Sequence, residues 1–465
     1  MKTDNHFNAT TKRYLQLLFF FVLGIFHSCD DYVEVDPPNA QLTGTTVFAD
    51  MTTATAAIAS LYAKMRTNGI LAGNSTGLSV YLGLYADEFD YFQLATTSNF
   101  YNNTLVPTDS GISTLWNHSY RQIYDANAII TGVANSNTLP QAGKEQLTGE
   151  ALFVRALLHC YLVNTYGAVP YIKTTDHVQN SKVKRLPVDQ VYEAIATDLE
   201  EAIHLLPETY VTSERVRPNK FAAYAVLARV HLYREKYAEA SNAASAVLNS
   251  ELYVWQTNLD AEFLKTSTAT IWQFMPNNST SNTNEGSLYI FTAGPPSVVG
   301  LKPEFVNAFN PTDLRKEKWI KKVTNGANTW YHAYKYKQQS LTPTSQEYSI
   351  VLRMAEQYLI RAEARAKEGN LTSAIEDLNV IRVRAGLTPT TATTGQAIIA
   401  DIREQRRFEL FTEFGNRFFD LKRSGTLDAI LPQYKPGWNS TDQLWPLPAL
   451  ELIANPNLNP QNPGY

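Results

Sequence analysis

The sequence predicts a mainly α fold, a scaffold of tetratricopeptide-like helix pairs that carries an irregular side of loops and short strands. Three observations predict it. In residues 353–387, Ala355, Leu359, Ala362 and Ala366 recur at spacings of three and four, which puts them on one helix face. Gly369-Asn370 then suits a left-handed helix end, and Ala374, Leu378 and Ile381 give a second inner face. Residues 221–250 repeat the design, with Leu227, Ala228 and Leu232 before a turn at 234–237 and Ala240, Ala244 and Val247 after it. Ala228 to Ala240 and Ala362 to Ala374 are equal distances, the signature of a helix-turn-helix period. The third observation is a loss of helical spacing over about 81–115 and 252–345.

The chain opens on Lys2, Lys12 and Arg13, followed by an apolar run over 14–26 that ends at His27-Ser28-Cys29. A basic start, a short apolar stretch and small residues at its end make residues 1–28 a secretory signal. Cys29 after Ser28 resembles a bacterial lipoprotein signal, in which that cysteine is acylated and becomes the first mature residue. Acyl chains would anchor the protein durably with no membrane-spanning helix. Residues 29–49 then read as an extended, lipidated tether, and 50–465 as a single domain. The only other cysteine, Cys160, lies in an apolar helical run and reads as a small buried hydrophobe.

Within the domain, residues 50–67 predict a helix with Ile58, Leu61, Tyr62 and Met65 inward. Residues 81–109 hold Tyr81, Tyr85, Tyr91, Phe92, Phe100 and Tyr101 among polar residues and read as a long ordered loop, a common seat of function. Asp87, Glu88 and Asp90 within it read as solvated carboxylates. Helices follow at 116–134 and 146–166, where Arg155 is expected to pair with a carboxylate such as Glu150 rather than to serve a ligand. Residues 191–205, with Ala194, Leu199 and Ala202 inward, supply half of a third pair. Strand-like pieces appear at 271–275, 287–292, 319–323 and 330–336. The run Thr324-Asn325-Gly326-Ala327-Asn328-Thr329 reads as a hairpin turn that lifts Trp330 and Tyr331 toward an exposed tip. A helix over 396–414 carries Arg406, Arg407, Glu409 and Glu413, which with Arg417, Asp420 and Arg423 form an expected ion-pair lattice. The tail, about 436–465, is proline-rich and extended, with Trp445 as its anchor.

The chain has 465 residues, 44% hydrophobic and 18% charged, with net charge −4. That size gives ample core, and the absence of a basic field argues against a nucleic-acid partner. It carries 26 Tyr, 21 Phe and 7 Trp, more than enough to add a surface that grips ligands by their faces. No HExxH, GxSxG or phosphate-cradling glycine loop is present, and no cofactor is called for.

Several segments, in order, carry a family resemblance: ALFVRALLHCYLVNTYGAVPY at 151–171, AVLARVHLYREKYAEA at 225–240, and RMAEQYLIRAEA followed by LNVIRVRAGL. EQRRFELFTEFGNRFFDLKRSG at 404–425 and the tail LWPLPALELIANPNLNPQNPGY complete the set. Together with the lipoprotein start they resemble the SusD/RagB family; Phe414-Gly415-Asn416 departs from its usual pattern, while Arg417 and Asp420 keep it. The resemblance implies an outer-membrane, surface-exposed lipoprotein that captures nutrients, usually oligosaccharides, for a SusC-like TonB-dependent transporter, without catalysis. It also implies structural roles for Arg361, Glu363, Arg407, Arg417, Asp420, Trp445 and Pro446.

Ligand residues follow from chemistry and position instead. Sugar C–H faces stack on aromatic rings while hydroxyls pair with polar groups at the rim. The expected ligand-binding set is Tyr91, Phe100 and Tyr101 from the first irregular region, meeting Tyr289, Trp330 and Tyr331 from the second. Two alternatives stand beside this reading. One is a peptide-binding member of the family. The other is a surface glycoside hydrolase, for which Asp87, Glu88 and Asp90 are the loose carboxylate candidates.

Overall fold

A computed structural model describes residues 44–93 and 97–465. The signal segment, Cys29 and most of the tether fall outside the described residues. The tether expected to stay extended through residue 49 already turns helical at Gly44–Val47. Residues 47–465 form one compact unit.

Its first helix, α1 (Met51–Thr67), is capped by Asp50, whose carboxylate accepts from the Thr52 and Thr53 amides at 2.7 and 3.0 Å. Ile58, Leu61, Tyr62 and Met65 are buried, as the spacing predicts. The expected loop over 81–109 is a different matter. Leu78–Tyr85 is a helix (α2) with every residue buried, followed by β1 (Phe89–Tyr91) and the short α3 (Ser98–Asn102). A helix buried on all sides has no apolar stripe, so periodicity could not reveal it.

A row of helices then builds the scaffold. α4 (Ser110–Asn135) packs on α5 (Gln141–Tyr166), α5 on α6 (Val188–Leu205), and α6 on α7 (Lys220–Tyr233), which pairs with α8 (Tyr237–Leu248). The chain leaves the row through β2 (Thr270–Phe274), α9 (Asn284–Tyr289), β3 (Val299–Leu301), β4 (Ile320–Asn325), β5 (Asn328–Ala333) and β6 (Ser349–Arg353). α10 (Met354–Lys367) rejoins it against α8 and is followed by α11 (Leu371–Arg384) and α12 (Gly395–Glu409). The alanines are why the helices approach closely: Ala228, Ala240, Ala244 and Ala364 share one buried cluster, and Ala355, Ala362 and Ala374 another. The first half of residues 287–292, expected as a strand, belongs instead to α9, started by the Thr283 hydroxyl accepting from the Gly286 amide at 3.0 Å.

The two pairs α7–α8 and α10–α11 turn at matched positions through a residue with positive φ, Glu235 at 59° and Gly369 at 86°. Nothing lies within 4 Å of a β-carbon built on Gly369, so its role is conformational alone. Gly369→Ala is therefore expected to lower stability by about 1 kcal/mol, read as a drop in urea midpoint. Glu235→Gly should be neutral or slightly stabilising, because it relieves the strain that Glu already bears.

Charged residues fill the space between helices and irregular side. Arg155 does not pair with Glu150, which lies on a different face of α5. It grips Asp198 of α6 with two bonds of 2.6 and 2.8 Å, while Glu150 receives Arg217. Asp87 and Glu88 are likewise not solvated. Asp87 is 1% exposed and accepts from Arg417 (2.8 Å) and Arg407 (3.0 Å), and Glu88 accepts from the Thr412 amide. α12 stops at Glu409, short of 414, because Thr412, Phe414 and Gly415 turn through positive φ. α13 (Asn416–Arg423) follows, with Asp420 bridging Arg406 and Arg423, and Arg423 reaching Glu363 at 2.7 Å. The tail closes over this lattice. Trp445 is fully buried, edge-on to Tyr81, Tyr85, Phe100 and Tyr166, and α14 (Ala449–Ala454) lies beyond it.

Glu88 gives the fold a pH dependence of unusual sign. Burial, and secondly the Asp87 carboxylate, push its carboxyl from 4.5 up to about 7. The folded state holds this proton more tightly than the unfolded chain. Its contribution is complete below about 4.5 and is lost as pH rises through about 7. Glu88→Gln should flatten that slope, shrinking the stability difference between pH 5 and pH 8 by about 1–3 kcal/mol in denaturant titrations.

Candidate functional site

The irregular side is organised by a four-stranded sheet in the order β1-β3-β5-β4. It joins the two regions that the sequence singles out. Tyr91 pairs with Val299, and Leu301 pairs with Phe89 on one side and Tyr331 on the other. β4 and β5 form the expected hairpin, in register from Ile320–Ala333 to Asn325–Asn328, with Gly326 at φ 58° in the turn. Trp330 is not at its tip. It pairs with Val323 further down the ladder and is half-buried.

Strand alternation sends neighbouring side chains to opposite faces. Tyr91 and Tyr331 share the inner face with Phe89 and Leu301 and pack against the core. Trp330 takes the outer face. There its indole lies flat on Gly294: a β-carbon at that position would sit 2.1 Å from the ring, so only glycine permits the approach. Gly300 belongs to the same face, with Phe92 and Pro296 each 3.3 Å from where its β-carbon would be. Phe92 is 36% exposed and the sequence reading did not place it among the ligand residues.

Two of the expected ligand residues are core. Phe100 is 1% exposed, stacked on Tyr81 with ring centres 4.2 Å apart and edge-on to Trp445. Tyr289 is 4% exposed and stacks on Phe89 at 5.4 Å. Both sit on short helices, Phe100 where the sequence suggests an ordered loop and Tyr289 where it suggests a strand. Tyr101 is half-buried between two lysines. Its hydroxyl donates to Asp90 (3.1 Å), Lys302 donates to the same carboxylate at 2.7 Å, and Lys435 sits 3.8 Å from the ring centre. Burial, with Lys302 as the next cause, lowers the Lys435 amine to about 7.

A polar cleft of about 310 Å³ lies beside the separate pair β2–β6, which contributes Phe274 and Ser349 to it, and is bounded by Arg66, Gly73, residues 276–287 and residues 339–341. The run Asn277-Asn278-Ser279-Thr280-Ser281-Asn282-Thr283-Asn284 forms one wall. Eight consecutive polar residues are the signal that marks this wall in the sequence. Asn282 fixes this wall to the opposite loop, donating to the Ser340 carbonyl (3.0 Å) and accepting from the Gln346 amide (2.8 Å). Glu285 sits at the base, 5% exposed, accepting from the Ser349 hydroxyl while its other carboxylate oxygen has no partner among the described residues. Gly73 makes room for it, since a β-carbon there would be 2.2 Å from the carboxyl carbon. Burial raises the Glu285 carboxyl above its usual range, favouring a form that both donates and accepts. Gln339, Asn284 and the exposed Leu341 complete a lining suited to a ligand with many hydroxyls and some apolar surface. Residues 284–296 run from this cleft to the glycine under Trp330, so amides and aromatic face are linked by one continuous segment.

Comparison with known proteins agrees with this architecture. Residues 31–232 match a SusD-like family described as starch-binding and associating with the outer membrane, and residues 268–465 match the SusD family. SusD-like protein P2 of Formosa agariphila is 26% identical over 98% of this chain and 100% of its own length. A SusD superfamily protein from Bacteroides vulgatus superposes with a TM-score of 0.79 at 22% identity, covering 90% of this chain and 100% of that one. Surface glycan-binding protein A from Bacteroides thetaiotaomicron, solved in complex with laminarihexaose, gives 0.74 at 19% identity over 88% and 99% of the two chains. Two consecutive family matches and a shared helix row with the same irregular side lead to one conclusion: the chain belongs to the SusD/RagB family.

Proposed function

We propose that this protein is a surface lipoprotein of the outer membrane that captures an oligosaccharide and passes it, uncleaved, to a SusC-like TonB-dependent transporter. The observation that carries the reading is the amide-lined cleft, connected along the chain through residues 284–296 to the sheet face that bears Trp330 and Phe92. Such a pair offers hydroxyl partners and a flat apolar surface together, which is what a pyranose chain presents in complement. The laminarihexaose held by a protein of the same fold supports a glucan as the first ligand to try. Capture without turnover is supported by the carboxylates. Glycoside hydrolysis uses two facing one ligand, whereas among the described residues Glu285 is the single acid lining the cleft. Asp87 is committed to two guanidinium groups, and Asp90 to Lys302.

Native electrophoresis of the chain from Asp31 onward through gels containing plant, host and microbial polysaccharides tests this. A selective retardation, with laminarin the leading candidate and no released products, is the expected result. Retardation by none of the glycans, with binding of peptides instead, would transfer the cleft to the peptide reading.

A further inference from the structure

A second cavity, sharing no residue with the cleft, opens between α4, the segment 170–183 and the C-terminal helix α14, with a volume of about 610 Å³. One stripe of α4 forms its wall. Asn117, Tyr120, Arg121 and Tyr124 follow the three- and four-residue spacing of a helix face, yet face a cavity rather than a neighbouring helix. Trp116 forms the base, its ring 4.7 Å from that of Tyr120. Tyr124 is 46% exposed, a large ring that the fold does not bury.

The polar groups around these rings are fixed but incompletely used. The Glu451 carboxylate is half-buried, which raises its proton affinity. Asn180 donates to the Thr174 carbonyl at 2.8 Å, whereas its side-chain oxygen is buried with no partner among the described residues. Asn455 is held by the Val183 carbonyl at 2.8 Å. Asn117 and Arg121, both exposed, make no hydrogen bond or ion pair among the described residues. A buried acceptor without a donor costs free energy unless something supplies one.

We propose that this cavity is a second carbohydrate site, taking one or two pyranose rings by stacking on Tyr124 and Tyr120. The sugar's hydroxyls pair with Arg121, Asn117 and Glu451. Its volume lies in the range of small-molecule sites and accommodates a disaccharide. Hydroxyls meet donors and acceptors alike, and the mixture of guanidinium, amide and carboxyl around aromatic faces calls for such a ligand. The inference is independent of the cleft, because neither its residues nor its loops take part.

Tryptophan supplies a reporter for each site, since Trp116 floors this cavity and Trp330 marks the other face. The protein labelled with 5-fluorotryptophan contains seven tryptophans, assignable one by one through Trp→Phe variants. It is titrated with laminarihexaose, maltohexaose, cellohexaose and xylohexaose up to about 10 mM, enough to detect a weak site. At least one sugar should move the Trp116 signal along its own saturation curve. Tyr124→Ala should weaken that curve at least about tenfold and leave any Trp330 curve unchanged, as loss of a stacking ring does. A Trp116 signal unmoved by every sugar overturns the proposal, whether or not Trp330 responds. So does one that follows the Trp330 curve and disappears in Trp330→Ala, or one indifferent to Tyr124→Ala. Movement of Trp116 alone would support this site and count against the cleft.

Discussion

Glu409→Ala is expected to destabilise the protein by about 3–5 kcal/mol, a large share of the roughly 5–15 kcal/mol that holds a folded domain together. Glu409 is fully buried, and three guanidinium groups converge on it. Arg353 donates at 2.6 Å, Arg384 donates to the same oxygen, and Arg315 reaches the other at 3.3 Å. These arginines come from β6, α11 and the short helix Leu314–Trp319, so one carboxylate on α12 ties the helical row to the irregular side. Removing it leaves three buried cations with the remaining carboxylates: Glu262 and Glu413 beside Arg353, Glu262 beside Arg384, and Asp313 beside Arg315. The unpaired charge, rather than the lost attraction, sets the size of the effect. The same arginines hold the Glu409 carboxyl well below the usual range against the opposing effect of burial. Its folded-state value lies below the unfolded one, so this stabilisation is present above about 4.5 and lost as pH falls. Glu409→Ala should therefore show its full deficit in urea unfolding at pH 7 and progressively less toward acid. A deficit below about 1 kcal/mol would mean that Glu262 and Glu413 carry the three cations between them.

That network also shows what the sequence could and could not disclose. A lattice around Glu409, Glu413, Asp420 and Arg423 was legible, because charged residues at helical spacing beside apolar ones must be paired when buried. Its other half was not. Arg353 and Arg384 are distant in the chain from Glu409, as Asp87 is from Arg407 and Arg417, and only the fold brings them together. The helix pairs were legible because alanine at matched spacing encodes close approach, and the Trp445 anchor because proline fixes the tail around it. The all-apolar helix Leu78–Tyr85 was not, since it lacks a polar face to mark its period. The same limit governs the site. Aromatic composition picked Tyr91, Trp330 and Tyr331, which share one sheet with the tyrosines inward and Trp330 outward, Tyr101, which lies on α3 beside it, and Phe100 and Tyr289, which are interior. Ring chemistry is identical in a core and in a binding surface; burial distinguishes them, and burial follows from the tertiary fold. Phe92 was left out of the ligand set for the same reason, since its exposure follows from the fold, and the asparagine-rich wall at 277–284 because polar loops carry no periodic signal.

Trp330→Ala should weaken glycan binding by about 2 kcal/mol, roughly a thirtyfold rise in Kd, as truncation of a central aromatic anchor does. The indole is seated on Gly294 with its outer part free, on the same sheet face as Phe92 and Pro296. A ring held flat from behind loses little freedom when a sugar stacks in front, so its contact area is available at small entropic cost. Its partial exposure also limits the structural damage, and the variant should keep the wild-type unfolding transition to within about 1 kcal/mol. Gly294→Ala provides the complementary change. Its methyl group meets the indole at 2.1 Å and must tilt or expel the ring, so binding falls although Trp330 itself is retained. Phe100→Ala and Tyr289→Ala, by contrast, remove fully packed core rings and should cost about 3–5 kcal/mol of stability, so lost binding in those variants says nothing about contact. Calorimetric titration alongside denaturant unfolding separates the two kinds of loss. An unchanged affinity in Trp330→Ala with a loss in Phe92→Ala would move the stacking platform across the sheet. An unchanged affinity in both would place the sugar wholly among Asn282, Glu285 and Gln339, where hydroxyl pairing and not ring stacking sets specificity.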